Sequence, residues 1–260
     1  VDAPLVLTYH TKYDVDIAKA VRGKLLQESA IRALVQNIAS CDEVWVVSRG
    51  AGENLRSLGY EGDYIVMENG VDVPRGRVSD EAIAAATGRY DLPQNVPVFL
   101  FVGRLMWYKG IRIILDALKT LREKNVDFRM VFIGEGADGA EIRSYAEERK
   151  LSDRCFFTGA ISDREIIRAW YGRSDLFLFP STFDTNGLVV REAAASGTAT
   201  VMIRNSCASE GVGDGRNGFC IEENAAAMAA KLEELCRAPE VMQVVGENAQ
   251  RELYVSWGTA

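Results

Sequence analysis

The chain holds a small set of side chains able to do chemistry, and they concentrate in one stretch. Residues 180–197 read Pro-Ser-Thr-Phe-Asp-Thr-Asn-Gly-Leu-Val-Val-Arg-Glu-Ala-Ala-Ala-Ser-Gly. Two carboxylates, Asp184 and Glu192, bracket the expected start of an Ala-rich helix at Gly187, with seven residues between them. The apolar run Asp175-Leu-Phe-Leu-Phe179 leads in like a strand. A helix start presents unpaired amides, here those of Gly187, Leu188 and Val189 after Asn186, together with the positive end of the helix dipole. Both suit phosphate. A carboxylate eight residues on lies about two turns along the helix, within reach of sugar or ribose hydroxyls. The layout fits a nucleotide-sugar better than a bare phosphate.

A second set is cationic. Arg104 and Lys109 follow the strand-like run Pro97–Val102 and are flanked by Gly103 and Gly110. Ligands of open α/β sheets bind at the C-terminal edge of the strands. There an Arg fork and a Lys point charge can neutralise a diphosphate; two solvated surface charges are the plainer reading of the same residues. Gly134-Glu135-Gly136 also follows a strand, as a tight turn or as a close approach to a ligand. His10, the single histidine, ends an apolar strand. Asp14-Val15-Asp16 spells the Asp-x-Asp of metal-dependent sugar transfer, but its place at a helix start suits acids for the dipole instead. No Ser-His-Asp set, phosphate-binding P-loop or Gly-x-Gly-x-x-Gly after a strand is present, which removes support from hydrolase, NTPase and NAD-linked readings.

The elements that must position these residues alternate. Strands are predicted over Leu5–Tyr9, Glu43–Val47 and Tyr64–Met67, with a long helix over Ala18–Ala39 and a short one over Gly52–Leu58. Residues 70–96 lose periodicity and read as a linker. Strands follow at Pro97–Val102, Phe128–Ile133, Cys155–Thr158, Leu176–Phe179 and Thr200–Ile203. They are separated by helices at Ile111–Lys124, Asp138–Arg149, Asp163–Arg173 and Gly187–Ser196, and the tail is helical over Ala225–Arg237 and after Val241. The pattern predicts an α/β fold of doubly wound parallel sheets. The 260 residues suffice for two modest cores. A net charge of −7 argues against wholesale nucleic-acid binding. Five cysteines without a Cys-x-x-Cys pair, and one histidine, argue against a metal site and point to reduced thiols. No apolar run approaches the length of a membrane span, and the first residues do not read as a signal peptide. Residues 1–70 offer only three strands and one long helix, so the expectation is the second half of a domain whose first half is missing.

Several blocks together resemble the donor-binding half of a GT-B, family 4 retaining glycosyltransferase: Phe101-Val-Gly-Arg-Leu105 with Lys109-Gly110, Ile133-Gly-Glu-Gly136, Phe156-Phe-Thr-Gly159, Asp175-Leu-Phe-Leu-Phe-Pro-Ser181, Gly187-Leu-Val-Val-Arg-Glu-Ala193 and Asn217-Gly-Phe219. Thr8-Tyr-His-Thr-Lys-Tyr13, Cys41-Asp-Glu-Val-Trp-Val-Val-Ser48 and Glu68-Asn-Gly-Val-Asp72 are similar to the end of that family's acceptor domain. Tyr-His-Thr with Ser-Thr-x-Asp-Thr-Asn-Gly looks like the branch that glycosylates diacylglycerol. The resemblance implies two Rossmann-like domains, the first incomplete: 1–75 for the acceptor side, 76–96 as linker, 97–245 for the nucleotide-sugar and 246–260 for the start of a crossover helix.

The resemblance also implies roles. Arg104, Lys109 and the amides at Gly187–Val189 would hold the donor diphosphate, Asp184 the donor sugar and Glu192 the ribose. His10 would sit near the reacting carbon. Gly103, Gly134 and Gly136 would lie beside the nucleotide, with Gly159 and Ala160 near the base. Two departures stand out: the first Glu of the family's Glu-x7-Glu motif is Asp184, and the glycine-rich loop that opens the acceptor domain is absent. The implied activity is retaining transfer of a sugar from a UDP- or GDP-sugar to a lipid or glycan hydroxyl, with no cofactor and no metal. The implied location is cytoplasmic, with peripheral membrane contact through the missing half. A non-catalytic nucleotide-sugar binding fragment and a sugar-nucleotide epimerase of the same architecture are the alternatives.

Overall fold

A computed structural model describes residues 3–258. In chain order its elements are β1 (Val6–Tyr9), α1 (Tyr13–Ala20), α2 (Lys24–Ala39), β2 (Glu43–Val46), α3 (Arg49–Ser57), β3 (Ile65–Val66) and α4 (Asp80–Thr87). They continue as β4 (Val98–Val102), α5 (Ile111–Glu123), β5 (Arg129–Ile133), α6 (Gly139–Glu148), β6 (Cys155–Gly159), α7 (Arg164–Arg173) and β7 (Leu176–Phe179). The last are α8 (Leu188–Ala195), β8 (Ala199–Ile203), β9 (Phe219–Ile221), α9 (Ala225–Arg237) and α10 (Pro239–Glu252). The strands make two parallel sheets, one in the order β1-β2-β3 and one in the order β6-β5-β4-β7-β8-β9. This is the α/β arrangement of parallel sheets that the alternation predicts, of the GT-B type that the resemblance implies.

The larger sheet is wound on both faces. Phe99, Phe101, Met130, Phe132, Leu176 and Leu178 point to one side and pack with α5, α6 and α9. Leu100, Val131, Phe177 and Met202 point to the other and pack against Trp170 and Tyr171 of α7 and Val190 and Ala193 of α8. Burial on both faces is why β4 reads as the unbroken run Val-Phe-Leu-Phe-Val. In α5, Ile111, Ile114, Leu115, Leu118 and Leu121 recur at helical spacing and are all buried. The chain lays down β4 at the centre, builds outward to β6, then returns to β7 on the other side of β4. The winding direction therefore reverses between β4 and β7, where the loops diverge and leave a crevice at the strands' C-terminal ends.

The smaller sheet has a single core cluster, formed by Tyr9, Val44 and Val46 with Ile38 of α2 and Ala51 and Leu55 of α3. It is joined to the larger sheet's unit at several places. The Glu210 carboxylate accepts from the amides of Arg49 (2.8 Å) and Gly50 (2.5 Å) at the start of α3. Arg191 of α8 pairs with Glu68 at 2.8 Å. The chain end returns to the connecting segment, where Val71 bridges Ser256 and the Tyr254 hydroxyl donates to the Val73 carbonyl.

Three details differ from the sequence reading. The helix expected over Ala18–Ala39 is two helices, because Gly23 takes φ 100° and starts α2 afresh. Asp14 and Asp16, as the helix-start reading has them, do fall in the first turn of α1. The stretch 70–96 contains α4, which Ser79 caps by accepting from the Ala82 amide, with Asp80 and Glu81 in its first turn. An additional short strand, β9, extends the larger sheet by pairing with β8. Among the described residues no helix is long and apolar enough to cross a membrane, and no three metal-binding side chains gather.

Candidate functional site

The crevice between β4 and β7 is built by glycines that let two loops touch. After β4 the chain makes a 3-10 turn over Trp107–Lys109, closed by Gly110 at φ 76°. A side chain on Gly110 would collide with the Pro180 carbonyl oxygen. Only glycine tolerates both the left-handed backbone and that contact. The turn thus rests on the loop after β7, and Lys109 meets Asp184 with Nζ 2.6 Å from Oδ1. Lys109 is only 8% exposed. Lysine is rarely so buried unless paired, which sets it apart from a solvated surface charge.

The other wall is the start of α8. Gly187 stands at its N-cap in the left-handed region (φ 63°), where a Cβ would press on Ala208 at 2.8 Å. A cavity of about 280 Å³ opens here, at the topological switch point. It gathers His10, Gly103, Lys109 and Asp184, and also Asn186, Gly187, Leu188 and Val189. The amides of Leu188 and Val189, at the start of α8, have no acceptor within their own helix. Two buried polar atoms at the cavity, Asp184 Oδ2 and Asn186 Nδ2, have no hydrogen-bond partner. Such orphans in a native fold call for a ligand or an ordered water. The cavity therefore offers the Lys109 cation, the Asp184 carboxylate, the side-chain amides of Asn69 and Asn186 and a helix start, a set matched to a phosphate with a hydroxylated group beside it.

The loop that carries Asp184 is also held by the smaller sheet's unit. Lys12 Nζ donates to the Thr182 carbonyl (2.8 Å), Ser48 Oγ to the Thr185 carbonyl (2.5 Å), and Thr185 Oγ1 to the His10 carbonyl (2.8 Å). Ser48 serves twice, because its oxygen also caps α3 by accepting from Ala51 N at 3.0 Å. The sequence reading missed Lys12 and Ser48 as site-forming residues. The available signal was the cap pattern before α3; their contacts with residues 137 and 170 positions away left none.

The remaining candidates lie outside this cavity. Arg104 is exposed, and its guanidinium sits 5.9 Å from the Tyr108 ring centre. Gly134 and Gly136 follow β5, where side chains would run into the Gly103 and Leu105 carbonyls respectively, so both let the loops after β4 and β5 nest. Gly159 takes φ 79° at the end of β6 and its carbonyl accepts from the Gly134 amide at 2.9 Å. Ala160 follows, exposed. Glu192 lines a separate small cavity with Arg164, Tyr171 and Val73. Burial holds its carboxyl above the usual range, against the opposing pull of the Tyr171 hydroxyl bond and of Arg164. The buried Tyr171 hydroxyl donates toward Glu192 Oε2 (3.5 Å) and the Val189 carbonyl (3.3 Å), linking the carboxylate to the first turn of α8. Burial first, then the Glu192 charge, pushes the Tyr171 phenol well above its ordinary value.

Known proteins resemble this chain in sequence and in fold. The family model described as glycosyl transferases group 1 matches residues 85–252. The chain is similar to the alpha-monoglucosyldiacylglycerol synthase of Streptococcus pneumoniae, 23% identical over 242 residues, covering 92% of this chain and 55% of that protein. It is also similar to the D-inositol 3-phosphate glycosyltransferase of Streptomyces avermitilis, 29% identical over 271 residues, covering 99% of this chain and 58% of that one. Thus it spans little more than half the length of these relatives. Among solved structures, Anabaena HepE in complex with UDP and glucose superposes with a TM-score of 0.79 at 22% identity, covering 95% of this chain and 66% of that chain.

Proposed function

The chain belongs to the glycosyl transferases group 1 family, and from that premise we propose that the cavity between β4 and β7 binds the diphosphate and sugar of a nucleotide-sugar donor. The observation that carries this reading is the buried Lys109 beside the start of α8, at the switch point of the larger sheet. Lys109 and the amides of Gly187, Leu188 and Val189 would hold the diphosphate, with Arg104 at its solvent side. Asp184 and Asn186 would meet the sugar, and Glu192 the ribose hydroxyls. The HepE complex supports UDP as the first nucleotide to test.

The activity proposed for the whole protein is family 4 retaining transfer. The acceptor oxygen bonds to the sugar's anomeric carbon on the face from which the diphosphate leaves. The bond from that carbon to the diphosphate breaks, and the acceptor proton passes to a diphosphate oxygen. Stabilising the charge on the leaving diphosphate is then the main work of Lys109 and the α8 amides. His10, on the smaller sheet's side of the cavity, would lie near the reacting carbon. The relative named alpha-monoglucosyldiacylglycerol synthase supports a lipid acceptor, and a glycan hydroxyl is the other class to assay.

Calorimetry with UDP, GDP and their sugar conjugates tests the donor reading. Lys109→Ala is expected to weaken binding by about 2 kcal/mol, the range for losing a charged hydrogen-bond partner. Arg104→Ala is expected to cost less, since that side chain is exposed. Wild-type affinity in Lys109→Ala would sink the assignment. Transfer from a radiolabelled donor to lipid and glycan panels tests the reaction, and binding without any transfer would favour a non-catalytic binding role.

A further inference from the structure

Lys109 is paired within the cleft. Its ammonium lies 2.6 Å from Asp184 Oδ1, and both side chains are largely shielded from solvent. The pair is fixed from both sides. Gly110 seats the Lys109 turn on the Pro180 carbonyl, and Lys12 and Ser48 hold the loop at Thr182 and Thr185. Asp184 also keeps its second oxygen, Oδ2, buried and unpartnered. An acceptor in that state favours any ligand that brings a hydroxyl to it.

Resting on the donor reading above, we propose that Asp184 makes the site discriminate between the intact donor and the nucleoside diphosphate left after transfer. Its carboxylate neutralises Lys109 and repels the diphosphate that enters the same cavity. Both ligands meet that penalty. Only the intact donor offsets it, by donating a sugar hydroxyl to Oδ2. The nucleoside diphosphate has no such hydroxyl and is held weakly, which favours its release. A carboxylate and a phosphate a few ångströms apart in a partly desolvated cavity interact strongly enough to change affinity about tenfold.

The test is calorimetry on the 260-residue chain with UDP, GDP, UDP-glucose and GDP-mannose, for the wild type, Asp184→Asn, Asp184→Ser and Lys109→Ala. Asp184→Asn is expected to bind the nucleoside diphosphate about tenfold tighter and the sugar conjugate no tighter, so the preference for the intact donor falls. Its diphosphate affinity should also weaken more steeply with salt than the wild type's, because the Lys109 charge is then uncompensated. Asp184→Ser should move the same way, and melting curves identify a variant that fails to fold. Diphosphate binding that Lys109→Ala weakens but that neither Asp184 variant tightens would overturn the proposal alone; Asp184 would then serve to orient Lys109. Binding indifferent to Lys109→Ala, or no binding of any of the four ligands, would overturn the donor reading and this proposal with it.

Discussion

The two sheets share a parallel topology but differ in how they are covered. In the larger, every residue of β4, β7 and β8 is buried. In the smaller, Tyr9 is the only fully buried residue of β1, and both residues of β3 are exposed. Leu5, Val6, Ile65 and Met67 all face solvent there, as do Leu25 and Leu26 at the start of α2. The larger sheet earns its stability from two packed faces. The smaller contributes position: the ends of its strands supply His10, Lys12 and Ser48 to the loop that carries Asp184. Holding a loop needs a few hydrogen bonds at strand ends, not a large core.

The widest gap between the two is expected in side-chain truncation. Phe132→Ala, in the stacked aromatic core of the larger sheet, should cost about 3–5 kcal/mol. Ile65→Ala on exposed β3 should stay within about 0.5 kcal/mol. Denaturant titration of both variants checks this, and equal losses would break the contrast.

Backbone strain at the site comes next. Gly110→Ala should destabilise by about 1–3 kcal/mol, since a left-handed alanine is strained and its methyl meets Pro180. It should weaken nucleotide binding more than a substitution of the open Gly59. Unchanged affinity would show that the two loops do not need their close contact.

A smaller effect is expected from the sheet-to-sheet clamp. Ser48→Ala removes the α3 cap, at a cost of about 1 kcal/mol, and also the bond to the Thr185 carbonyl. Ser48→Thr should restore both. If sugar-conjugate affinity followed stability alone in these variants, with no separate loss, the smaller sheet would not be setting the loop.

The smallest effect is a pH dependence within the larger sheet's own unit. On the proposed donor reading Glu192 accepts from the ribose hydroxyls as a carboxylate, and burial raises its carboxyl above the usual value. Nucleotide affinity should therefore fall as pH drops through that raised value, at higher pH than for an exposed glutamate. The native state also binds this proton more readily than the unfolded chain. The group's contribution to stability therefore declines as pH rises from its ordinary value of 4.5 through the raised one. Glu192→Gln should flatten both profiles, read by calorimetry and thermal melting across pH 4 to about 7.

The same contrast explains what was legible. Strands buried on both faces appear as unbroken apolar runs, so β4, β5, β7 and β8 could be placed from the sequence to within a residue or two. Asp184, Glu192, Lys109 and the start of α8 could be found as residue types at telling places. The elements that escaped are short ones stabilised by their neighbours. The eight residues of α4 lie between Gly- and Pro-containing segments and pack with Ile83 and Thr87 inward. The three residues of β9 pair with β8. The break at Gly23 interrupts a pattern whose apolar spacing runs through both helices.

The sequence by itself determined the α/β class, the parallel sheets and the chemical character of the site, because hydrophobic period and residue type are local properties. The tertiary structure alone decided the partnerships: that Lys109 is buried against Asp184, 75 residues away, that Ser48 holds Thr185, and that Glu192 occupies a cavity apart from Lys109. It also decided that Gly134 and Gly136 serve loop nesting. These depend on which strand neighbours which and on how closely two backbones approach. Distances between groups far apart in sequence follow from the packing of the whole chain, and no local pattern encodes them.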